Sequence, residues 1–397
     1  MSTANVLSYA EIFQAGLDLQ FMEVSTTAWM EANASQVRYN GGSKVQIPKL
    51  VLEGLGTYSR SSGFPDGAAT LTWEERTLTQ DRGKEFNLDA MDYDETNFVA
   101  GAGTLLGEFQ RTKVVPEVDA YRYSQIFTLM NPQLKTGAYT PAAGTVYTQL
   151  KTDIRAIQDV IGENEPLVIA ISHSAAATLD ASTEITKSIN ITQVDFANGA
   201  LATKTQALDG IPMFRIPSAR FKTAFTFSAT NGFTAAATAM NINWIIAARS
   251  AIIAIVKTDK VRVFEPGTNQ SMDAWKIQYR KFHDLWIKEN AYDAVYVSYT
   301  AIAAPALVTT VAAGSAAGTK FTATAGTGNT LAYKLTAGDV AAPNFNDIPT
   351  GLTAYTSASD IAAAIATNRL HMYKLDATGH VLQYTVETLA TNDIYGG

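Results

Sequence analysis

One stretch, Lys44 to Phe98, constrains this chain more than any other: KVQIPKLVLEGLGTYSRSSGFPDGAATLTWEERTLTQDRGKEFNLDAMDYDETNF. Val45, Ile47, Leu50 and Leu52 recur at alternate or near-alternate positions around Pro48, the period of a strand. Gly54, Gly56, Gly63, Pro65 and Gly67 mark a turn-rich tip. Alternation then resumes over Ala69–Thr79 and Lys84–Met91, rich in β-branched and aromatic residues. This predicts a long two-stranded arm. A lone hairpin is marginal in water, so an arm this poor in core residues requires a neighbouring molecule to lie on.

At 397 residues the chain is long enough for two or three domains. Charged residues make up 17% and hydrophobic residues 47%, the balance of a globular rather than a disordered chain. The net charge of −7, with no Lys/Arg cluster, argues against a dedicated nucleic-acid binder. The absence of cysteine rules out disulfides, thiolate catalysis and cysteine–zinc sites. MSTANVLSYAEIF lacks the basic and apolar regions of a signal peptide. The longest apolar run, Trp244–Val256, is interrupted by Arg249 and too short to span a bilayer, so no membrane partner is expected.

Along the chain, residues 1–40 read as an arm with short amphipathic helices, Phe13, Leu17, Leu19 and Phe21 giving partial helical spacing. A packed N-terminal helix is the other reading. A helix is predicted over Thr96–Thr112, with Phe98, Leu105, Leu106 and Phe109 on its apolar face and Asp92, Asp94 and Glu95 complementing its positive end. A second helical stretch opens at Pro116, a favoured first-turn position, and runs to Met130, with Glu117 and Asp119 in its first turn. Thr145–Ile161 has helical spacing, Pro166–Ser172 reads as a buried strand and His173–Leu179 as a short helix. Asn241–Lys257 fits a strand or a helix pair. Val261–Phe264, Ala274–Glu289 and the closing Asp293–Thr300 read as strands. Near Ala301 the composition turns to Ala, Thr and Gly. Strands at 319–325, 330–335, 371–375 and 381–387, with one helix over Ser357–Ala366 capped by Ser357 or Ser359, predict a separate β-rich domain.

No catalytic constellation emerges. Gly101, Gly103 and Gly107 give GxGxxxG after an acidic segment, not a dinucleotide loop. Ser172-His173 follows a strand and opens a helix, but the glycines of a nucleophile elbow are missing, so Ser172 reads as a helix cap. His283 beside Asp284, and His371 with His380, lack metal spacing. Asp92, Asp94 and Asn97 lack the glycine and distal Glu of a calcium loop. Trp73, Trp244, Trp275 and Trp286 read as core residues. Neither enzyme activity nor a cofactor or metal is expected.

The segments IPKL (47–50), GLGTYSR (54–60), GFPDG (63–67), LTWEERTLTQDRG (71–83), FNLDAMDYDETN (86–97) and KVVPEVDAYRYSQI (113–126) together resemble, in order and wording, the major capsid proteins of tailed bacteriophages with the HK97-like fold. The resemblance covers roughly residues 1–300. It implies an α+β fold: an N-terminal arm (1–40), an extended β-hairpin loop (41–92), a peripheral domain (93–140 and 256–300) with a long spine helix broken or kinked near Pro116, and an axial domain (141–255). Residues 301–397 would form a small β-rich surface module, loosely Ig-like. It further implies a shell subunit, present in hexamers and pentamers of an icosahedral head around double-stranded DNA, with scaffolding and portal proteins as partners. Such a subunit is made in the bacterial host cytoplasm and ends in the virion. Loop residues Leu52, Leu55, Tyr58, Arg60, Phe64 and Trp73 are the expected inter-subunit contacts, and Phe98, Leu105, Phe109 and Pro116 belong to the spine. Because the loop begins near residue 44, a separate scaffold and an untrimmed N-terminus are expected. An encapsulin-like nanocompartment shell is the alternative.

Overall fold

The computed structural model describes residues 25–39, 43–61, 63–89, 106–182, 189–190, 206–228, 230, 232–267 and 273–396. The chain divides into two compact units, residues 1–137 with 141–299, and residues 138–140 with 300–397.

In the first unit, β1 (Arg38–Tyr39), β2 (Lys44–Leu52) and β3 (Ala69–Thr77) form an antiparallel sheet in that order. The register of the hairpin runs from Lys44 opposite Thr77 to Leu52 opposite Ala69. β4 (Gln80–Asp89) does not continue the hairpin. It pairs along its length with the strand Ala274–Ile287 instead. The sequence places all of 41–92 in the loop; the structure divides that stretch at Leu78 and Thr79. Leu78 is buried with Val45, Ile47, Ile253, Ile255 and Trp286. The Thr79 N–H and hydroxyl both donate to Asp284 Oδ2, at 2.8 and 2.9 Å. Buried side chain and paired backbone together pin the chain where the ribbon changes sheets.

The described residues are helical from Leu106 into α1 (Val115–Met130). A break or kink near Pro116 is expected from sequence; the helix is instead carried through by a π turn, Gln110–Val114. Val115 N–H reaches back five residues to the Gln110 carbonyl, a register shift placed just before the residue that has no N–H to give. Leu106, Val114, Val115 and Val118 pack on Val261, Ile277 and Tyr279.

The remaining elements are β5 (Thr136–Ala138), α2 (Val146–Ile161), β6 (Leu167–Ser172), α3 (His173–Asp180), β7 (Ile189–Asn190), β8 (Gln206–Leu208), β9 (Ile211–Ile216), β10 (Phe225–Ser228), β11 (Gly232–Ala235), β12 (Asn241–Ala248), β13 (Ile252–Phe264), β14 (Ala274–Ile287) and β15 (Val295–Thr300). One seven-stranded sheet has the order β5-β15-β12-β6-β9-β8-β7. β6 lies at its centre, buried at every residue, which explains its unbroken apolar run. The strand-or-helix ambiguity of 241–257 resolves to two strands, β12 and β13, turned by Arg249–Ala251. β15, expected to return to the spine region, lies in this sheet beside β12: Val295, Val297 and Tyr299 are all buried, as a strand inside a sheet requires. A second sheet, β13-β14-β4, carries α1.

In the second unit, β16 (Thr310–Ala313) pairs with β17 (Thr319–Thr322), and β18 (Thr330–Thr336), β19 (Thr353–Tyr355), β20 (Arg369–Leu375) and β21 (Val381–Thr388) form a sheet of order β19-β18-β20-β21. One cluster gathers Leu307, Phe321, Leu331, Ile361, Leu370 and Met372; another gathers Ala332, Tyr373, Val381 and Tyr384. The helix expected over Ser357–Ala366 is absent. Ile361 exchanges both backbone hydrogen bonds with Thr319 (N–H to carbonyl, 2.6 and 3.3 Å), and Asp360 accepts from the N–H groups of Ser315, Ala316 and Ala317. Tertiary partners take the groups a helix would have used, overriding a weak local preference.

Candidate assembly interface

Alternation gives the arm two unlike faces. Val45 and Ile47 point to the body and are fully buried with Leu78, Ile253, Ile255 and Trp286. The opposite face carries the cross-strand pairs Pro48–Trp73, Leu50–Leu71 and Leu52–Ala69. A hairpin with one solvated face ordinarily places polar residues there; here Leu50, Leu52, Leu71 and Trp73 are exposed, Leu52 at 64% and Trp73 at 44%. Trp73 is therefore a surface residue of the arm, whereas Trp244 and Trp286 are core.

The tip exposes apolar side chains as well. Leu55 is fully exposed and Phe64 is 86% exposed. The Tyr58 and Phe64 rings lie 5.0 Å apart, tilted against each other. A bridge between Ser59 and Gly63 closes the turn. Gly63 adopts φ of 83°, the left-handed region where glycine is at no disadvantage. Arg60 is exposed on this turn. Leu50 and Leu71, not assigned as contacts from sequence, share this face by the strand register, and Val51 is exposed on the opposite face.

Of the spine residues, Phe109 is half-buried, its ring 4.9 Å from Phe86 and 6.1 Å from Tyr279, and Pro116 lies in the first turn of α1. Phe98 and Leu105 lie outside the described residues, as do Phe13, Leu17, Leu19, Phe21, Asp92, Asp94, Asn97, Gly101 and Gly103. Asp119, read from sequence as a first-turn helix acid, is fully buried. It accepts from the hydroxyls of Ser25 (2.9 Å), Thr26 (2.9 Å) and Thr27 (2.7 Å) and from the Thr26 N–H (3.2 Å). Arg122, also fully buried, donates to Thr27 Oγ1 at 3.0 Å and pairs with Glu31. The two charges fasten residues 25–31 to α1.

The other polar candidates have partners inside the fold. Ser172 caps α3, accepting from Ala175 N–H at 3.1 Å. Asp284 accepts from Tyr121 Oη at 2.6 Å and from Thr79. The His283 ring packs edge-on against Tyr121, and burial together with the cations of Arg122, Lys281 and Arg82 holds its pKa well below the usual histidine value. His371 Nδ1 lies 2.6 Å from Tyr384 Oη and its Nε2 2.9 Å from Thr336 Oγ1; His380 Nδ1 lies 2.7 Å from Thr378 Oγ1. A cavity of about 560 Å³ between β4, α1 and the β10–β11 hairpin is spanned by Arg82, which donates to Glu117 Oε1 at 2.7 Å and to the carbonyls of Ser228 and Gly232. Among the described residues, no group of three or more His, Asp or Glu side chains could hold a metal, and no helix is long and apolar enough to cross a membrane.

No curated protein matches the chain. Among solved structures it is similar to a chain described as Mycobacterium phage Che8 at 14% identity, covering 70% of this chain and 90% of that one, with a TM-score of 0.41. It is similar to the bacteriophage PhiM1 mature capsid at 12% identity, covering 66% of this chain and 83% of that one, TM-score 0.46. A virus-like particle from Pyrococcus furiosus is similar at 12% identity, covering 73% of this chain and 99% of that one, TM-score 0.43. Residues 312–392 match the family model of the S-layer protein SbsC C-terminal domain, and the match lies wholly within the unit that begins at Thr300.

Proposed function

We propose that this chain is the major capsid subunit of a tailed bacteriophage, with the HK97-like division into extended loop, spine-bearing peripheral region and axial region. The observation that carries the reading is the arm: a hairpin whose outward face exposes Leu50, Leu52, Leu71 and Trp73 and whose tip exposes Leu55 and Phe64. A subunit gains nothing by ordering an apolar face into water. Burying each such side chain on a neighbour contributes about 1.5–3 kcal/mol, and a heterologous contact repeated around closing rings builds a shell.

In this reading the arm lies across the next subunit, hexamers and pentamers close an icosahedron, and double-stranded DNA is held inside without sequence recognition. A scaffolding protein guides closure, and a portal occupies one vertex. The shell needs no catalytic site. The second unit is a surface module on the outside of the particle. The contents test the reading: particles purified from infected or expressing cells and treated with nuclease should retain protected double-stranded DNA once packaging proteins are supplied. Particles that enclose a protein cargo and no nucleic acid would assign the chain to nanocompartment shells instead.

A further inference from the structure

We infer that Glu289 is the fulcrum that sets the direction in which the arm leaves the body of the subunit. The inference deepens the assembly reading and rests on it only for its consequence in the shell.

The body-side face of the hairpin reads Val45, Ile47, Lys49 on β2 and Thr72, Glu74, Arg76 on β3. Core contact ends at Ile47. Lys49 is the next residue on that face, and beyond it both strands stand clear of the core, with Leu50, Val51 and Leu52 all exposed. At this crossing one carboxylate takes a cation from each strand. Glu289 Oε2 accepts from Lys49 Nζ at 2.6 Å, and Oε1 accepts from Arg76 at 3.1 Å. Arg76 also reaches Glu74 Oε2 at 3.3 Å. The neighbouring Asn290 donates its Nδ2 to the Leu50 carbonyl at 3.1 Å.

Glu289 and Asn290 open the 3₁₀ turn Glu289–Ala294, directly after β14, whose last residues Leu285, Trp286 and Ile287 are buried. The carboxylate is thus anchored to the rigid sheet and grips the arm where its core contact stops. Two cations and two carboxylates balance in the cluster. Their side chains are between 11% and 35% exposed, which leaves them less screened than an ordinary surface pair. Without the Glu289 carboxylate, Lys49 loses its body-side ion pair and Arg76 keeps on that side its bond to Tyr292. The hairpin keeps its own ladder and its buried root, but the exposed part can pivot about Ile47.

The test uses the absence of cysteine from the chain. Spin labels on Ser61→Cys at the tip and Ala156→Cys on the exposed side of α2 report the arm's pose by pulsed dipolar spectroscopy in dissociated subunits. The expected result is a narrow distance distribution in the otherwise native chain, a clearly broadened one in Glu289→Gln, and broadening of the native distribution towards the variant's in high salt. Glu75→Gln is the control: Glu75 pairs with exposed Lys44 and bonds Gln46, both on the hairpin itself, and its loss should leave the distribution narrow. Thermal midpoints should stay close to native in both variants, and Glu289→Gln should close shells several-fold more slowly. An equally narrow distribution in Glu289→Gln overturns the fulcrum even if shells form. A broadened Glu289→Gln distribution in a chain that never assembles leaves the fulcrum standing and overturns the assembly reading.

Discussion

The Asp153 carboxylate illustrates how a single residue ties stability to pH. It is buried between α2 and the seven-stranded sheet, accepting from Trp244 Nε1 and Gln149 Nε2, both at 2.9 Å. Burial outweighs those hydrogen bonds and pushes its pKa from an ordinary 3.8 up to about 6. A raised carboxyl binds its proton more tightly folded than unfolded. Its stabilising effect is therefore complete below about pH 3.8 and is lost as pH rises through 6. His283 and His371, both depressed, act in the opposite sense, their contribution falling away as pH drops below about 6.5. Denaturant titrations of the native chain and Asp153→Asn between pH 4 and 8 separate the two. The difference between the proteins should grow in favour of the variant across pH 4–6 and then level off; a constant difference would show that Asp153 does not titrate in this range. At the same scale, Asp119 marks the limit of sequence reading. An acid in the first turn after Pro116 is a dipole partner by every local rule, and only folding brings Ser25, Thr26 and Thr27 onto it from more than ninety positions away.

At the scale of elements, what was legible was what alternation and punctuation encode locally. The β2–β3 hairpin, its glycine-rich tip and β17, β18, β20 and β21 of the second unit follow from period-two patterns and turn residues, whereas the short β16 and β19 were not read. Three features did not, each for a physical reason. β4 leaves the hairpin because Asp284 and the core around Leu78 hold the chain at Thr79. The π turn before Pro116 is a hydrogen-bond register, invisible to side-chain periodicity. Ser357–Ala366 forgoes its helix because Thr319 and the 315–317 loop claim its backbone and its acid. The exposed surface of the arm was partly legible: Leu52, Leu55, Tyr58, Arg60, Phe64 and Trp73, named from sequence, are exposed, but that Leu50 and Leu71 share Trp73's face required the strand register. The element-level prediction follows from that face. Leu71→Ser with Trp73→Ser removes exposed apolar area and touches no core cluster, so the subunit's thermal midpoint should move by no more than a degree or two. Each contact in the shell should weaken by about 1.5–3 kcal/mol per side chain, enough to abolish closure in light scattering. Normal assembly of the double variant would show that the face is not an interface.

At the scale of the molecule, the second unit owns its core: Leu307, Phe321, Leu331, Ile361, Leu370 and Met372 are all drawn from beyond Thr300. A unit with its own core can be removed with little damage to the rest. Truncation after Thr300 should leave the first unit folded and competent to assemble, with shells of equal heat stability if the unit decorates the surface. Shells that fail to close, or that melt early by calorimetry, would instead make it the cement between capsomers.

Shell building by the arm is tested most directly by sedimentation and negative-stain electron microscopy of the purified full chain, with a scaffold partner supplied, beside a version in which Gly54–Gly67 is replaced by a short turn. The full chain should form closed particles, and the shortened one should remain folded by circular dichroism yet unassembled. A full chain that persists as a 42.6 kDa species under every condition, or a shortened chain that closes normal particles, would contradict the claim that the exposed arm builds a shell.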